Sequence, residues 1–192
     1  MIASKTTLRR DRWADWAVIL VVVAALGLGL LLRENALYSY SSFAVGDGDI
    51  SGCVPANWLR EYGDDPLLQA RDPRSGAFNT KLVLRTRPLA PEMEPTLALQ
   101  SLAMERADAV NAFRTLETDQ VAVGGRTAIQ RTFTYVQTDP NPYLDRLPVV
   151  VKGVDVVLGD GGRVILVTYL ARVDTFDRDY RYFRDFVESI AF

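Results

Sequence analysis

The chain has 192 residues, with 22 Lys and Arg against 24 Asp and Glu, one cysteine and no histidine. Without histidine, Ser-His-Asp and Cys-His catalysis are excluded, as is a zinc site of the usual nitrogen and sulfur ligands within one chain. The near-balanced, interspersed charge, net -2, supplies no basic face of the kind that nucleic acid binding requires.

Residues 1–12 form a basic tail with Lys5, Arg9, Arg10 and Arg12. Behind it, Trp16 to Leu32 are seventeen consecutive uncharged, mostly aliphatic residues. At ~1.5 Å per residue such a helix is ~25 Å long, slightly short of a ~30 Å hydrocarbon core. Trp13 and Ala14 extend it, and Asp15 and Arg33 can reach toward the headgroups. The expectation is a transmembrane helix over residues 13–33, anchored through Trp13, Trp16, Leu20, Leu26 and Leu32. Trp13 and Trp16 suit the interface. The basic flank places the N-terminus in the cytoplasm and the remainder outside the cytoplasmic membrane, periplasmic or extracellular. Cleavage as a signal peptide is the alternative. Its candidate sites are poor: Ser42 and Ala44 lie far beyond the apolar run, and Ala36 follows too closely on Glu34. An uncleaved signal anchor is the reading. Gly27 and Gly29 thin the helix without making a Gly-x-x-x-Gly pair.

Residues 34–45 read as a linker or an edge strand, and 46–192 as one extracytoplasmic domain. Ile50-Ser51-Gly52-Cys53 looks like a lipobox, but it lies some twenty residues past Leu32 and behind Asp47 and Asp49, so the match is accidental. A lone cysteine forms no internal disulfide, and the expected role of Cys53 is a small buried apolar one. Beyond Leu32 the chain holds 18 Lys and Arg against 22 Asp and Glu, about -4, which opposes clinging to an anionic bilayer.

Val54 to Leu59 reads as a turn carrying Trp58, and Leu67 to Arg71 as a strand. Lys81 to Arg87 is a stronger strand that Pro88 stops. After Pro88, Pro91 and Pro95, residues 96–110 read as a helix with Thr96 as N-cap. Leu99, Leu102, Ala103 and Val110 share one face, and Arg106 falls in the same stripe. Its reading is a packed stem with a head that reaches water or a carboxylate; the alternative is a positioned cation.

From Phe113 the pattern turns extended. Gly124-Gly125 is a two-residue hairpin signal between Val121/Val123 and a long strand, Thr127 to Gln137. Ile129, Arg131, Phe133 and Tyr135 share one face of that strand. Val149–Leu158 and Arg163–Ala171 form a second hairpin, Val- and Ile-rich as where both sheet faces are covered. A closing amphipathic helix, about Thr175 to Ser189 with Asp174 as N-cap, aligns Phe176, Tyr180, Phe183, Val187 and Ile190. The expected class is α+β, an antiparallel sheet covered by helices.

The order of motifs is an early Pro55-x-x-Trp58, a strand and helix, Gly124-Gly125-Arg126-x-Ala128 entering a long strand, and a closing hairpin and helix ending in Phe192. It resembles the PsbP-like superfamily over roughly residues 40–192. The resemblance implies a PsbP-like α/β/α sandwich with a mainly antiparallel sheet; the single transmembrane helix read ahead of it departs from the lipid-anchored relatives, which carry an acylated cysteine instead. The resemblance implies structural roles for Pro55, Trp58, Gly124, Gly125, Ala128 and Phe192 and transfers no functional residue. Members are accessory subunits of membrane complexes, GTPase-interacting proteins, chaperone-like factors and lipoproteins, so the expected function is a non-catalytic, membrane-anchored interaction module. The expected partners are other membrane-protein subunits and, through the N-terminal helix, the lipid bilayer; no cofactor is expected and, from the charge balance, no nucleic acid. One alternative is a small-ligand or calcium-binding domain using Asp139, Asn141 and Asp145, or Asp47 and Asp49. Another is a carboxylate-only hydrolase, for which no pair stands out.

Overall fold

The computed structural model describes residues 5–37, 39–89, 94–138 and 147–192, with backbone alone in 5–15 and 33–37. The chain divides into two compact units, Met1–Ser39 and Tyr40–Phe192. The first holds α1 (Lys5–Leu37), longer than the expected 13–33. All seventeen residues from Trp16 to Leu32 are exposed. Among the described residues no helix is long and apolar enough to cross a membrane. The expected spanning segment is therefore not shown: seventeen residues fall below the ~20 of a full crossing. The side chain of Trp13 lies outside the described residues.

In the second unit, β1 (Tyr40–Val45) and β2 (Ile50–Pro55) form an antiparallel hairpin of their own. Residues 34–45 thus resolve into a helix end and a strand. The remaining strands are β3 (Leu59–Tyr62), β4 (Leu68–Arg71), β5 (Lys81–Pro88), β6 (Asn111–Val123), β7 (Arg126–Gln137), β8 (Val149–Asp160) and β9 (Arg163–Arg172). They build one seven-stranded sheet in the order β3-β4-β5-β9-β8-β7-β6, antiparallel at every pairing. Strands β2 and β3 were not separable in the sequence, where both are short and one carries Gly52.

Because alternate residues of a strand point to opposite faces, β8 sorts the layers. Val154, Val156 and Leu158 join the main core with α3 (Phe176–Ser189) and the β1–β2 hairpin, centred on Tyr169 and Phe186. Val151 and Val157 face the other way; Val157 packs with Leu99 and Leu102 of α2 (Pro95–Ala109), and Val151 with Phe78, Phe133 and Tyr135. The result is a helix layer on each face of the sheet. In α3, Phe176, Phe183 and Val187 are buried as the periodicity predicts, while Tyr180 and Ile190 are half-buried.

Both expected N-caps shift by one or two positions. Glu94 stands at the N-cap position of α2 without a side-chain cap bond, Pro95 lies in the first turn, and Thr96 donates to the Glu94 carboxylate. Proline at the helix start suits its missing N–H. Thr175 caps α3, while Asp174 pairs with Arg172.

Candidate functional site

The α2 face of the sheet carries charge where the sequence placed apolar stripes. Register aligns Arg131 of β7, Asp155 of β8, Thr168 of β9 and Val83 of β5 in one row across four strands. Asp155 is fully buried. Arg106 of α2 grips its carboxylate with two N–H groups at 2.8 and 3.1 Å. Arg131 donates at 2.8 Å and the Thr168 hydroxyl at 2.7 Å. Arg131 also donates to the Leu99 carbonyl, tying the helix backbone to the sheet. Arg106 lies 4.0 Å from the Phe133 ring centroid. That ring fits because its cross-strand neighbour is Gly153, where a Cβ would sit 2.3 Å from it. The Arg106 head does reach a carboxylate, as expected. Asp155 itself went unread inside a Val-rich strand, although two cations on apolar stripes were a signal that a buried anion was needed.

This cluster is structural chemistry. A carboxylate that accepts four hydrogen bonds between two guanidinium groups has no free lone pair for general acid or base work. Nearby, burial pushes the Tyr135 phenol up to about 12, with Arg106 opposing.

Next to it, on the same face, lies the β3–β4–β5 half of the sheet, while α2 packs on β8, β6 and β7. Here the side chains are Glu61 and Leu59 of β3, Gln69 and Arg71 of β4, and Lys81, Val83, Arg85 and Arg87 of β5. Most are exposed or half-buried. Arg85 and Arg87 both reach Asp65 at 2.9 Å, and Arg87 approaches Glu105 at 3.7 Å. Arg71 pairs with Glu61 at 2.9 Å. Lys81 sits 5.3 Å from the Phe78 ring centroid. Burial lowers its amine below the ordinary lysine range, Arg71 adds to the effect and Glu61 opposes it.

The motif residues lie elsewhere. Pro55 ends β2, and Trp58 is buried with its ring 5.5 Å from that of Tyr182. Gly124 and Gly125, at φ 56° and 79°, make the two-residue turn between β6 and β7. Ala128 is buried in the main core. Phe192 is half-buried and stacks at 4.0 Å on Arg126, which also donates to its carbonyl. These last residues line a cavity of about 260 Å³ with Val123, Leu158, Val187 and Glu188. Cys53 is half-buried in β2, and its backbone N–H donates to Ser189. Of the calcium candidates, Asp139, Asn141 and Asp145 lie outside the described residues. Asp49 faces Arg163 at 3.5 Å, and among the described residues no cluster is placed to hold a metal.

No family model and no curated protein matches the sequence. Solved structures do. Cyanobacterial PsbP (CyanoP) from Synechocystis sp. PCC 6803 matches with a TM-score of 0.60 at 12% identity, over 81% of this chain and 93% of that one. LpqN of Mycobacterium tuberculosis matches with a TM-score of 0.53 at 18% identity, over 80% and 90%. The Saccharomyces cerevisiae Ran-binding protein Mog1p matches with a TM-score of 0.50 at 11% identity, over 80% and 95%. The domain therefore has the PsbP-like fold, mainly antiparallel and α+β.

Proposed function

We propose that this protein is a non-catalytic interaction module, tethered by α1 to the cytoplasmic membrane and presenting residues 40–192 on its outer side. The observation that carries the reading is Trp16–Leu32, a run of uncharged residues that are all exposed. An apolar surface of this extent on a free helix is unstable in water and matches a lipid or protein surround. Extension through Trp13 and Ala14, with Arg33 snorkelling, brings the run to the length of a bilayer core. The basic residues before it favour a cytoplasmic N-terminus.

The domain's chemistry supports binding over catalysis. Its buried carboxylates are engaged: Asp155 by Arg106, Arg131 and Thr168, and Asp179 by Arg178 at 2.8 and 3.0 Å. Two of the structures with this fold are described by association and pathway, one as Ran-binding and one as involved in cell envelope biogenesis. The partner proposed is another membrane-protein subunit, met by the exposed β3–β5 face or by α1.

Alkaline carbonate extraction of native membranes, with protease added to either side, tests the tether and its orientation. The expected result is retention in the membrane pellet and digestion of residues 40–192 from the outer side alone. Release by carbonate, or digestion from the cytoplasmic side, overturns it.

A further inference from the structure

The β3–β5 face has one local imbalance. Register sets Leu59, Arg71, Lys81 and Leu170 in a row across β3, β4, β5 and β9, so two cations stand directly opposite each other on neighbouring strands. Such like-charge pairs are unfavourable unless an anion lies between or beside them. Arg85 and Arg87 are matched by Asp65 and Glu105. At the Arg71–Lys81 position, acceptors run short. Glu61 takes one terminal nitrogen of Arg71, while the buried Nε of Arg71 has no partner. Among the described residues no carboxylate lies within ion-pair distance of Lys81; its amine sits 5.3 Å from the Phe78 ring centroid, and Glu61, bonded to Arg71, acts on it only at longer range. An ammonium carries three donors and no acceptor, so this half-buried corner holds donors without acceptors.

We propose that the Arg71–Lys81 pair receives a side-chain carboxylate from an acidic segment of a protein partner, with the exposed Leu59 in the same row as its apolar flank. This rests on the interaction-module reading and names its docking point. A bound carboxylate completes the ion pairing of Lys81 and screens it from Arg71, so the two cations no longer oppose each other. A protein carboxylate is favoured over an anionic bilayer because the chain beyond Leu32 carries a net charge of about -4, which repels a surface of like sign while leaving a local contact attractive. Leu59, 49% exposed, gives an aliphatic neighbour of the acid something to cover.

The test uses the full chain in a nonionic detergent and a fluorescent peptide of alternating Leu and Glu, with its Leu and Gln counterpart as control. The expected result is binding of the acidic peptide at least tenfold tighter than the Gln peptide. Lys81→Gln should weaken it at least fivefold with an unchanged melting curve, and Lys81→Arg should retain it. Arg163→Gln, which removes a cation outside the Arg71–Lys81 pair, should leave it unaltered. Carbodiimide coupling then condenses a peptide carboxylate with a lysine amine; the carbodiimide takes up the water lost and an amide remains. The chain has only three lysines, Lys5, Lys81 and Lys152, and the amide should map to Lys81. Equal binding of both peptides, equal loss in Arg163→Gln, coupling at Lys152 instead, or binding only to phosphatidylglycerol vesicles overturns the proposal. If those results appear while a membrane partner still copurifies with the wild-type chain, the docking point falls and the interaction reading stands.

Discussion

At the scale of single residues, Asp155 decides how α2 is held. It lies buried between Arg106 and Arg131 and bonds to both guanidinium groups while neutralising one of them. Removing one member of such a cluster leaves uncompensated buried charge, so Asp155→Asn should cost about 3–5 kcal/mol in urea unfolding. Thr168→Val, which deletes one hydrogen bond to the same carboxylate, should cost nearer 1 kcal/mol. A loss for Asp155→Asn no larger than that for Thr168→Val would mean that water reaches the cluster. The tyrosines set the alkaline limit. Tyr135 is pushed up to about 12, and burial also raises Tyr40 and Tyr169. In the unfolded chain a phenol loses its proton near pH 10, while the native state holds it, so the unfolded state binds fewer protons in between. The contribution of Tyr135 is complete below about pH 10 and is lost as pH rises through about 12. Absorbance at 295 nm should therefore show these tyrosines ionising together with loss of far-ultraviolet dichroism. Early, reversible ionisation in a folded chain would contradict the burial. At this scale the sequence was half legible: Arg106 and Arg131 stood out on apolar stripes, but nothing local to Asp155 marked it as their partner, because the match is made by sheet register.

At the scale of elements, α3 and β6 are opposites. The α3 helix buries a continuous aromatic surface on Tyr169, with Phe186 fully buried and its ring 5.6 Å from that of Phe43. Its 3.6-residue period is strong in the sequence because one face meets the core and the other meets solvent. Strand β6 is an edge with almost every residue exposed, interrupted by register shifts near Arg114 and Glu117. Bulges of that kind blunt an open edge against unwanted pairing, and the burial alternates only near the end of the strand, at Val121 and Val123. Phe186→Ala should therefore cost about 3–5 kcal/mol, whereas Leu116→Ser, at an exposed position in the irregular part of β6, should stay within about 0.5 kcal/mol. Equal effects in thermal unfolding would contradict this division. Strands β2 and β3 were hidden for a different reason. They are four to six residues long, too short for a period to emerge, and their pairing depends on α3 and β4 from later in the chain.

At the scale of the whole molecule, one unit presents an exposed apolar helix and the other a PsbP-like domain whose buried acids are occupied by cations and hydroxyls. The fold was legible because the order of strong elements survives even where short strands vanish: the Lys81 strand, the α2 helix, two long hairpins and α3. The proposed docking face was not, since the Leu59–Arg71–Lys81 row joins residues from three strands that only the sheet brings together. An acidic domain with a local cationic corner is suited to meeting an acidic protein neighbour. The most direct measurement is purification of the protein from its native cells in a mild nonionic detergent, with the protein mass determined by light scattering. The interaction-module account predicts a stoichiometric assembly with at least one other membrane protein. A strictly monomeric chain with no copurifying protein would contradict it.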